Sequence, residues 1–467
     1  MMSPGRPVAE SILDLVGNTP LVPLRRVAAG VPYRVLAKLE YLNPGGSVKD
    51  RIGASMLETA EQKGLVRSGT TIIEATSGNT GVGLALVAAV RGYRAVFVIP
   101  DKMSSEKIRL LRAFGARVVV TPAGVPPEHP MSHYSVARRL AKEIPDSYYP
   151  DQYSNQANPE AHYRTTGPEI DRDVGEPLGA VIGTVGTGGT MSGIGRYFKE
   201  HRPRVRIVAV DPAGSVLGPY FRTRQLPKPV PYQVEGIGED MIPQSIHFQY
   251  LDEFVEVGDR ESFLMARRLA HEEGMFVGGS AGSAVAGALH WLAGRPLPEG
   301  STVVVILPDS GDRYLSRFYS DDWMREKGFL DAGATARDLL GRKAPTPALV
   351  AVDPTTVVRD ALSLLRHHSI SQMPVLAGTT NAGSLQEDEI LRRGLQDETV
   401  LERSVAAVLS PPFTEISADA PVADVIRRFK EERAILVRDA VTGTPIGVLT
   451  RHDLVGFLSE EGSGHAL

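Results

Sequence analysis

From about residue 70 the apolar positions fall into alternating blocks. "TTIIEA" (70–75) reads as a buried strand, and "NTGVGLALVAAVRG" (79–92) as a helix closed by Gly92. "RAVFVIP" then reads as a strand, "SSEKIRLLRAFG" as a helix and "ARVVVT" as another strand. Strand–helix–strand alternation with Gly or Pro at the joins predicts a parallel sheet in an open α/β fold. The pattern returns at "GAVIGTVGTGGTMSGIGRYFKEHRPRVRIVAVDP" and at "STVVVILPDSG". Residues 1–330 therefore read as one large α/β domain, with two lobes as an option. After "SDDWMREKGFL" the character changes, and the Ala-, Gly- and Pro-rich segment at 331–345 reads as a linker. Beyond it, "TTVVRDALSLLRHHSISQMPVL" resembles "APVADVIRRFKEERAILV", with Val358 and Asp360 matching Val422 and Asp424 at an offset of 64 residues (422 − 358). Two self-similar halves, each a short helix followed by a strand, predict a tandem module over 346–467. The polar stretch "GTTNAGSLQEDEILRRGLQDET" between them reads as a loop plus a helix.

Composition narrows the function. With 467 residues, 42% apolar and 23% charged, the chain has an ordinary globular make-up. A net charge of −4 points to neither nucleic acid nor membrane. The absence of cysteine excludes disulfides, thiolate metal sites and a cysteine nucleophile. "MMSPGRPVAESILDLVG" has no apolar core of signal-peptide length, and the longest apolar run, Val82 to Val90, is too short to span a bilayer. A cytoplasmic location is the default expectation. Glu128, His129 and His133 do not make a metal site, because Pro130 spoils a regular helical face and a third ligand is missing. His367 and His368 read as surface residues of a helix in the tandem.

Glycine-rich loops sit at three strand-to-helix joins: "ATSGNTGVG", "GTVGTGGTMSG" and "GGSAGSAVAG". In an open α/β sheet, ligands gather beyond the carboxyl ends of the strands, where helix N-termini offer free N–H groups to anions. The dinucleotide fingerprint fails at Gly186, because Met191 stands where its third glycine belongs, and the chain has no P-loop. A mononucleotide or another single-phosphate cofactor fits better; plain turn glycines are the alternative. Lys49, in "NPGGSVKDR", falls in the first turn of a helix, where a cation is mildly unfavourable. A lysine beside a phosphate cradle can form an imine with an aldehyde cofactor. The alternative is a surface lysine paired with Asp50.

The segments "LVGNTPL", "EYLNPGGSVKDRI", "EATSGNTGVGLA", "VGTGGTMSG", "GGSAGSA" and "LPDSGDRY" resemble, in order, the pyridoxal-phosphate β-replacement enzymes, which include cysteine synthases and cystathionine β-synthases. The resemblance covers about residues 10–330 and implies a tryptophan-synthase-β-like fold type II with open parallel sheets in two lobes. It implies that Lys49 binds the cofactor aldehyde. Gly186, Thr187, Gly188, Gly189 and Thr190 match the loop around the cofactor phosphate. Asn79 matches the asparagine bonded to the phenolic oxygen, and Ser280 the serine facing the pyridine nitrogen. Thr76, Ser77, Asn79 and Thr80 match the loop that takes the substrate carboxylate, and Gln152 a further carboxylate contact. "EGIGED", with Gly236 and Gly238, matches the loop that closes the active site.

Three activities compete within the family. They are condensation of L-serine, or an activated serine, with L-homocysteine to L-cystathionine; synthesis of cysteine from sulfide and O-acetylserine or O-phosphoserine; and deamination of serine or threonine. "NPGGSVKDR", "LSRFYSDDWMREKGFL" and the C-terminal tandem look more like the first, a step of transsulfuration. The tandem resembles a Bateman module, a pair of CBS domains. Thr450 and Asp453, in "PIGVLTRHDL", resemble residues that hold an adenosyl ribose, and Gln386 stands at the matching place of the first half. The resemblance implies S-adenosylmethionine as the effector; a dimerisation module without ligand is the alternative. It also implies a homodimer or homotetramer. No haem is expected, since the animal enzymes hold theirs with a cysteine and a histidine in an N-terminal segment. Glu239 stands where those enzymes carry tyrosine.

Overall fold

The computed structural model describes residues 8–455 apart from 77, 127, 176, 295–296, 331–333, 343–348 and 441. The chain divides into two compact units, residues 1–329 and 330–467.

The strands of the N-terminal unit are β1 (Leu21–Pro23), β2 (Arg34–Leu39), β3 (Thr71–Ala75), β4 (Arg94–Pro100), β5 (Arg117–Thr121), β6 (Ser147–Tyr148), β7 (Leu178–Thr184), β8 (Arg206–Pro212), β9 (Glu253–Val257) and β10 (Thr302–Leu307). They form two sheets. One has the order β1-β2-β10-β7-β8-β9, the other β5-β4-β3-β6. Every pairing is parallel except β1 with β2. Parallel neighbours need crossovers, and helices supply them: Asn79–Arg91 joins β3 to β4, and Gly189–His201 joins β7 to β8. Strands β3 and β10 are buried along their whole length; β10 reads as a nearly unbroken apolar run, while β3 buries Glu74 among its apolar residues. Gly92 ends the first crossover helix in the left-handed region (φ 74°, ψ 30°), its N–H closing on the Ala88 carbonyl.

Lys49 opens the helix Lys49–Gln62, whose Ile52, Met56 and Leu57 are fully buried. In its first turn, an ionic cluster around Arg51 fixes this helix to the sheet. Arg51 donates to Glu40 (2.7 Å) and Glu169 (2.7 Å), and Lys38, on β2, donates to Glu169 (2.8 Å). All four residues are buried. Burial alone would raise the Glu169 carboxyl; Arg51 and Lys38 outweigh it and hold it down at about 2.

In the C-terminal unit the first half runs through the helix Val358–His367, β11 (Gln372–Ala377), β12 (Thr380–Gln386) and the helix Glu387–Gly394. The second runs through β13 (Thr414–Ser417), the helix Val422–Arg428, β14 (Ala434–Arg438) and β15 (Pro445–Thr450). Both halves carry an antiparallel hairpin, β11 with β12 and β14 with β15. Residues 380–386, within the stretch expected as a loop, form strand β12. Its polar residues mask it: only Gly383, Ser384 and Leu385 are buried. The segment expected as a linker at 331–345 also holds structure. The helix Ala336–Gly341 is capped by Thr335 in a reciprocal bond with Asp338. Its Ala336, Leu339 and Leu340 join the core of Ile416, Val425, Ile435 and Leu449. Residues 334–342 thus complete the second half of the tandem. Among the described residues no helix is long and apolar enough to cross a membrane.

Candidate active site

The segment that follows β10 stitches the site together. Val48 N–H donates to the Pro308 carbonyl (2.8 Å), Ser310 N–H to the Gly46 carbonyl (3.2 Å), and Gly278 N–H to the Asp309 carbonyl (2.9 Å). The loop before Lys49 and the loop before Ser280 therefore lie on either side of Pro308–Ser310. The resulting pocket is lined by Lys49, Asn79, Gly186, Thr187, Gly188, Thr190, Gly236 and Ser280, among others. Sequence positions spread over more than half the chain meet here.

Lys49 is the first residue of its helix, and Ser47 Oγ accepts its backbone N–H (3.2 Å). Among the described residues its Nζ has no hydrogen-bond or ion-pair partner, so the Asp50 pairing does not form. Asp50 instead accepts the Gly45 N–H (2.5 Å). Desolvation in the pocket lowers the Lys49 pKa, opposed by the charges of Asp309 and Glu239.

Next to Lys49, Asn79 Nδ2 donates to Asp309 Oδ2 (2.7 Å), and Arg313 Nη1 donates to Asn79 Oδ1 (2.6 Å). Tyr314 OH donates to Asp309 Oδ2 (2.6 Å), and Ser280 Oγ lies 3.4 Å from Asp309 Oδ1. At the opposite end, none of the backbone N–H groups from Gly186 to Met191 has a partner among the described residues. They converge where the helix Gly189–His201 begins. Gly188 is left-handed (φ 83°), and a Cβ on Gly189 would collide with the Asn158 amide. Asn158 Nδ2 supports the loop through Thr187 Oγ1 (3.0 Å). His162, fully buried, sits against Thr190 Oγ1 (3.1 Å) and Thr166 Oγ1 (2.9 Å). Burial, with Arg51 and Lys49 adding to it, holds its pKa down at about 3, so it is neutral.

The resemblance of the sequence extends to known proteins. Residues 12–309 match the pyridoxal-phosphate dependent enzyme family, and residues 336–393 and 405–460 match the CBS domain. The chain is 36% identical to the cystathionine beta-synthase of Dictyostelium discoideum over 471 residues, spanning 97% of this chain and 92% of that protein. The chain belongs to the cystathionine β-synthases. Its catalytic unit is also similar to solved structures. One is the O-acetylserine dependent cystathionine beta-synthase of Helicobacter pylori (40% identity, TM-score 0.61, 66% of this chain and 98% of that one). Another is O-ureido-L-serine synthase (38% identity, TM-score 0.62, 68% and 100%).

The enzymes of this family use pyridoxal phosphate, and the residues of this cystathionine β-synthase fit that group. The unpartnered N–H groups of 186–191 at a helix N-terminus suit a phosphate dianion, and the free Lys49 amine suits an aldehyde. Thr80 Oγ1 donates to Gln152 Oε1 (2.6 Å), whose Nε2 donates to the Ala75 carbonyl (3.0 Å). These two expected carboxylate contacts are therefore neighbours. Thr76 is fully buried, its Oγ1 accepting the N–H groups of Gly78 (2.9 Å) and Gly81 (3.2 Å). Ser77 lies outside the described residues. Gly236 lines the pocket; Gly238 lies behind it, its N–H on the Val185 carbonyl (2.7 Å). Glu239 is fixed through its backbone, its N–H to Ser215 Oγ (3.1 Å) and its carbonyl to Val216 N–H (3.0 Å). Desolvation and then Asp240 push its carboxyl well above the usual range.

Motif reading missed Asp309, Arg313, Tyr314, Asn158 and His162 as parts of the site. "LPDSGDRY" did mark the first three as a motif, but only their long-range bonds give them a role. In the C-terminal unit, Thr450 ends β15, and its N–H and Oγ1 both donate to Asp453 Oδ2 (2.7 and 2.8 Å). Gln386 ends β12 at the same offset of 64 (450 − 386). A cleft of about 310 Å³ there is lined by Ser371, Gln372, Gln386, Glu387, Asp388, Leu391 and Arg433.

Proposed function

We propose that this cystathionine β-synthase condenses L-serine, or an O-activated serine, with L-homocysteine to give L-cystathionine. The observation that carries the reading is the free, desolvated amine of Lys49 in one pocket with Asn79, Ser280 and the unpartnered N–H groups of 186–191. Pyridoxal phosphate supplies the aldehyde and the electron sink that let the substrate's α-carbon lose its proton and its β-carbon lose its substituent.

The chain's own residues do the rest. Lys49 anchors the cofactor and, once the substrate amine has displaced it, its Nζ takes the α-proton. Desolvation lowers the pKa of that nitrogen and so favours its neutral, basic form. This accounts for a lysine at a helix N-terminus, where a permanent cation is disfavoured. The loop Gly186–Thr190 holds the phosphate, Asn79 faces the phenolic oxygen and Ser280 the ring nitrogen. Thr76, Ser77, Thr80 and Gln152 receive the substrate carboxylate, and the 235–240 loop with Gly236 and Gly238 closes over it and excludes water. A serine at the ring nitrogen does not force it to stay protonated, which limits side reactions and suits loss of the β-substituent. In the tandem, Thr450 and Asp453 take the ribose of S-adenosylmethionine, a carboxylate being a natural acceptor for paired hydroxyls.

The test is a comparison of substrates with product identification by mass spectrometry. Serine or O-acetylserine with homocysteine is expected to give cystathionine faster than O-acetylserine with sulfide gives cysteine. A much larger rate with sulfide would make the chain a cysteine synthase.

A further inference from the structure

Asn79 is gripped at both ends of its amide. A carboxylate only accepts and a guanidinium only donates, so the partners fix the assignment: Nδ2 on Asp309, Oδ1 on Arg313. A flipped amide would lose both bonds. The partners are themselves immobile. Asp309 is 1% exposed and also takes the Tyr314 hydroxyl, while its own carbonyl takes the Gly278 N–H. Arg313 is 2% exposed, and its Nη2 donates to the Gly45 carbonyl in the loop that leads to Lys49. With Oδ1 held on the Arg313 guanidinium and one Nδ2 hydrogen spent on Asp309, the amide keeps one N–H to offer the pocket.

We propose that Asp309 and Arg313 are positioning residues that lock Asn79 with its remaining N–H toward the cofactor's phenolic oxygen, so that the site favours this oxygen as an anion. A hydrogen bond to a charged form stabilises that form. An amide free to flip would accept a proton from a neutral phenol equally well; the Asp309–Arg313 pair removes that option. The inference rests on the reading that Asn79 faces the phenolic oxygen.

The test is the absorbance of the purified holoenzyme, with the ³¹P resonance of the bound cofactor as a control for the phosphate end. Asp309→Asn replaces a pure acceptor by a group that can face Asn79 either way. It is expected to move the ratio of the visible, phenolate-type band to the near-ultraviolet, neutral-phenol band by about tenfold toward the latter. The ³¹P signal is expected to stay in place. Arg313→Met, which still leaves Asp309, is expected to shift the ratio the same way by less, and it decides the matter if Asp309→Asn does not fold. Asn79→Ala is expected to shift it at least as far. If Asn79→Ala shifts the ratio while Asp309→Asn and Arg313→Met leave it at the wild-type value, the lock is wrong. If Asn79→Ala also leaves it unchanged, Asn79 does not face the phenolic oxygen and the underlying reading fails.

Discussion

The catalytic pocket and the Thr450–Asp453 pair are built in opposite ways. In the pocket, contacts join residues far apart in sequence: Asn79 with Asp309 (230 residues), Arg313 with Asn79 (234) and Thr80 with Gln152 (72). Each side chain is oriented by the whole fold, and the groups stay desolvated before any ligand arrives. Thr450 and Asp453 are three residues apart and satisfy each other in a local turn. Thr450 is also held in the β14–β15 ladder opposite Ala434, but the bond that orients its side chain spans only three residues. Chemistry that needs fixed donors and a lowered amine pKa draws on the first design.

Stability measurements can break this comparison. Both tryptophans, Trp291 and Trp323, lie in the N-terminal unit, so tryptophan fluorescence reports on that unit alone. Arg51→Met leaves Glu40 and Glu169 buried without their main partner and is expected to cost about 3–5 kcal/mol in urea unfolding. A loss below about 1 kcal/mol would mean that the cluster does not organise the Lys49 helix.

Acid sharpens the same point. Glu169 is held at about 2, below its ordinary value of 4.5. The stability it supplies is complete above the unfolded pKa and disappears as pH falls through about 2. It is worth up to about 3 kcal/mol at neutral pH. The gap in urea midpoint between wild type and Glu169→Gln should therefore be wide at pH 7 and narrow progressively below about pH 4.3; an unchanged gap at pH 3 would contradict it. Smaller still is Gly189→Ala. Its Cβ meets the Asn158 amide, and such overpacking costs about 1–3 kcal/mol, expected here as weaker cofactor retention on dialysis. The smallest effect belongs to Thr450→Val, which should change tryptophan-detected stability by less than about 0.5 kcal/mol while abolishing the calorimetric heat of S-adenosylmethionine. Retained heat would remove Thr450 from the effector site.

The same contrast explains what could be read from sequence. The glycine loops were legible because their function is local: Gly188 needs a positive φ, Gly189 needs to approach Asn158, and both sit between a strand and a helix. The alternation of β3, β4, β5, β7 and β10 with helices was legible because parallel strands in a covered sheet are rich in Val, Ile and Leu and Gly or Pro punctuates the joins. Asp309, Arg313 and His162 are single polar residues whose site partners, Asn79 and Thr190, lie far along the chain, and no spacing rule connects them. Strand β12 escaped because the period-2 signal is missing from "TNAGSLQ". The helix Ala336–Gly341 escaped because its composition resembles a linker; its core partners lie some 80 residues further on, at Ile416 and Ala418.

The most direct test of the central claim is chemical. Borohydride reduction of the holoenzyme makes the lysine–cofactor link permanent, and peptide mapping then locates it. The account predicts a pyridoxyl-phosphate mass increment on the peptide that contains Lys49, and its loss in Lys49→Ala. An increment on any other lysine, or a label undiminished in Lys49→Ala, would contradict it.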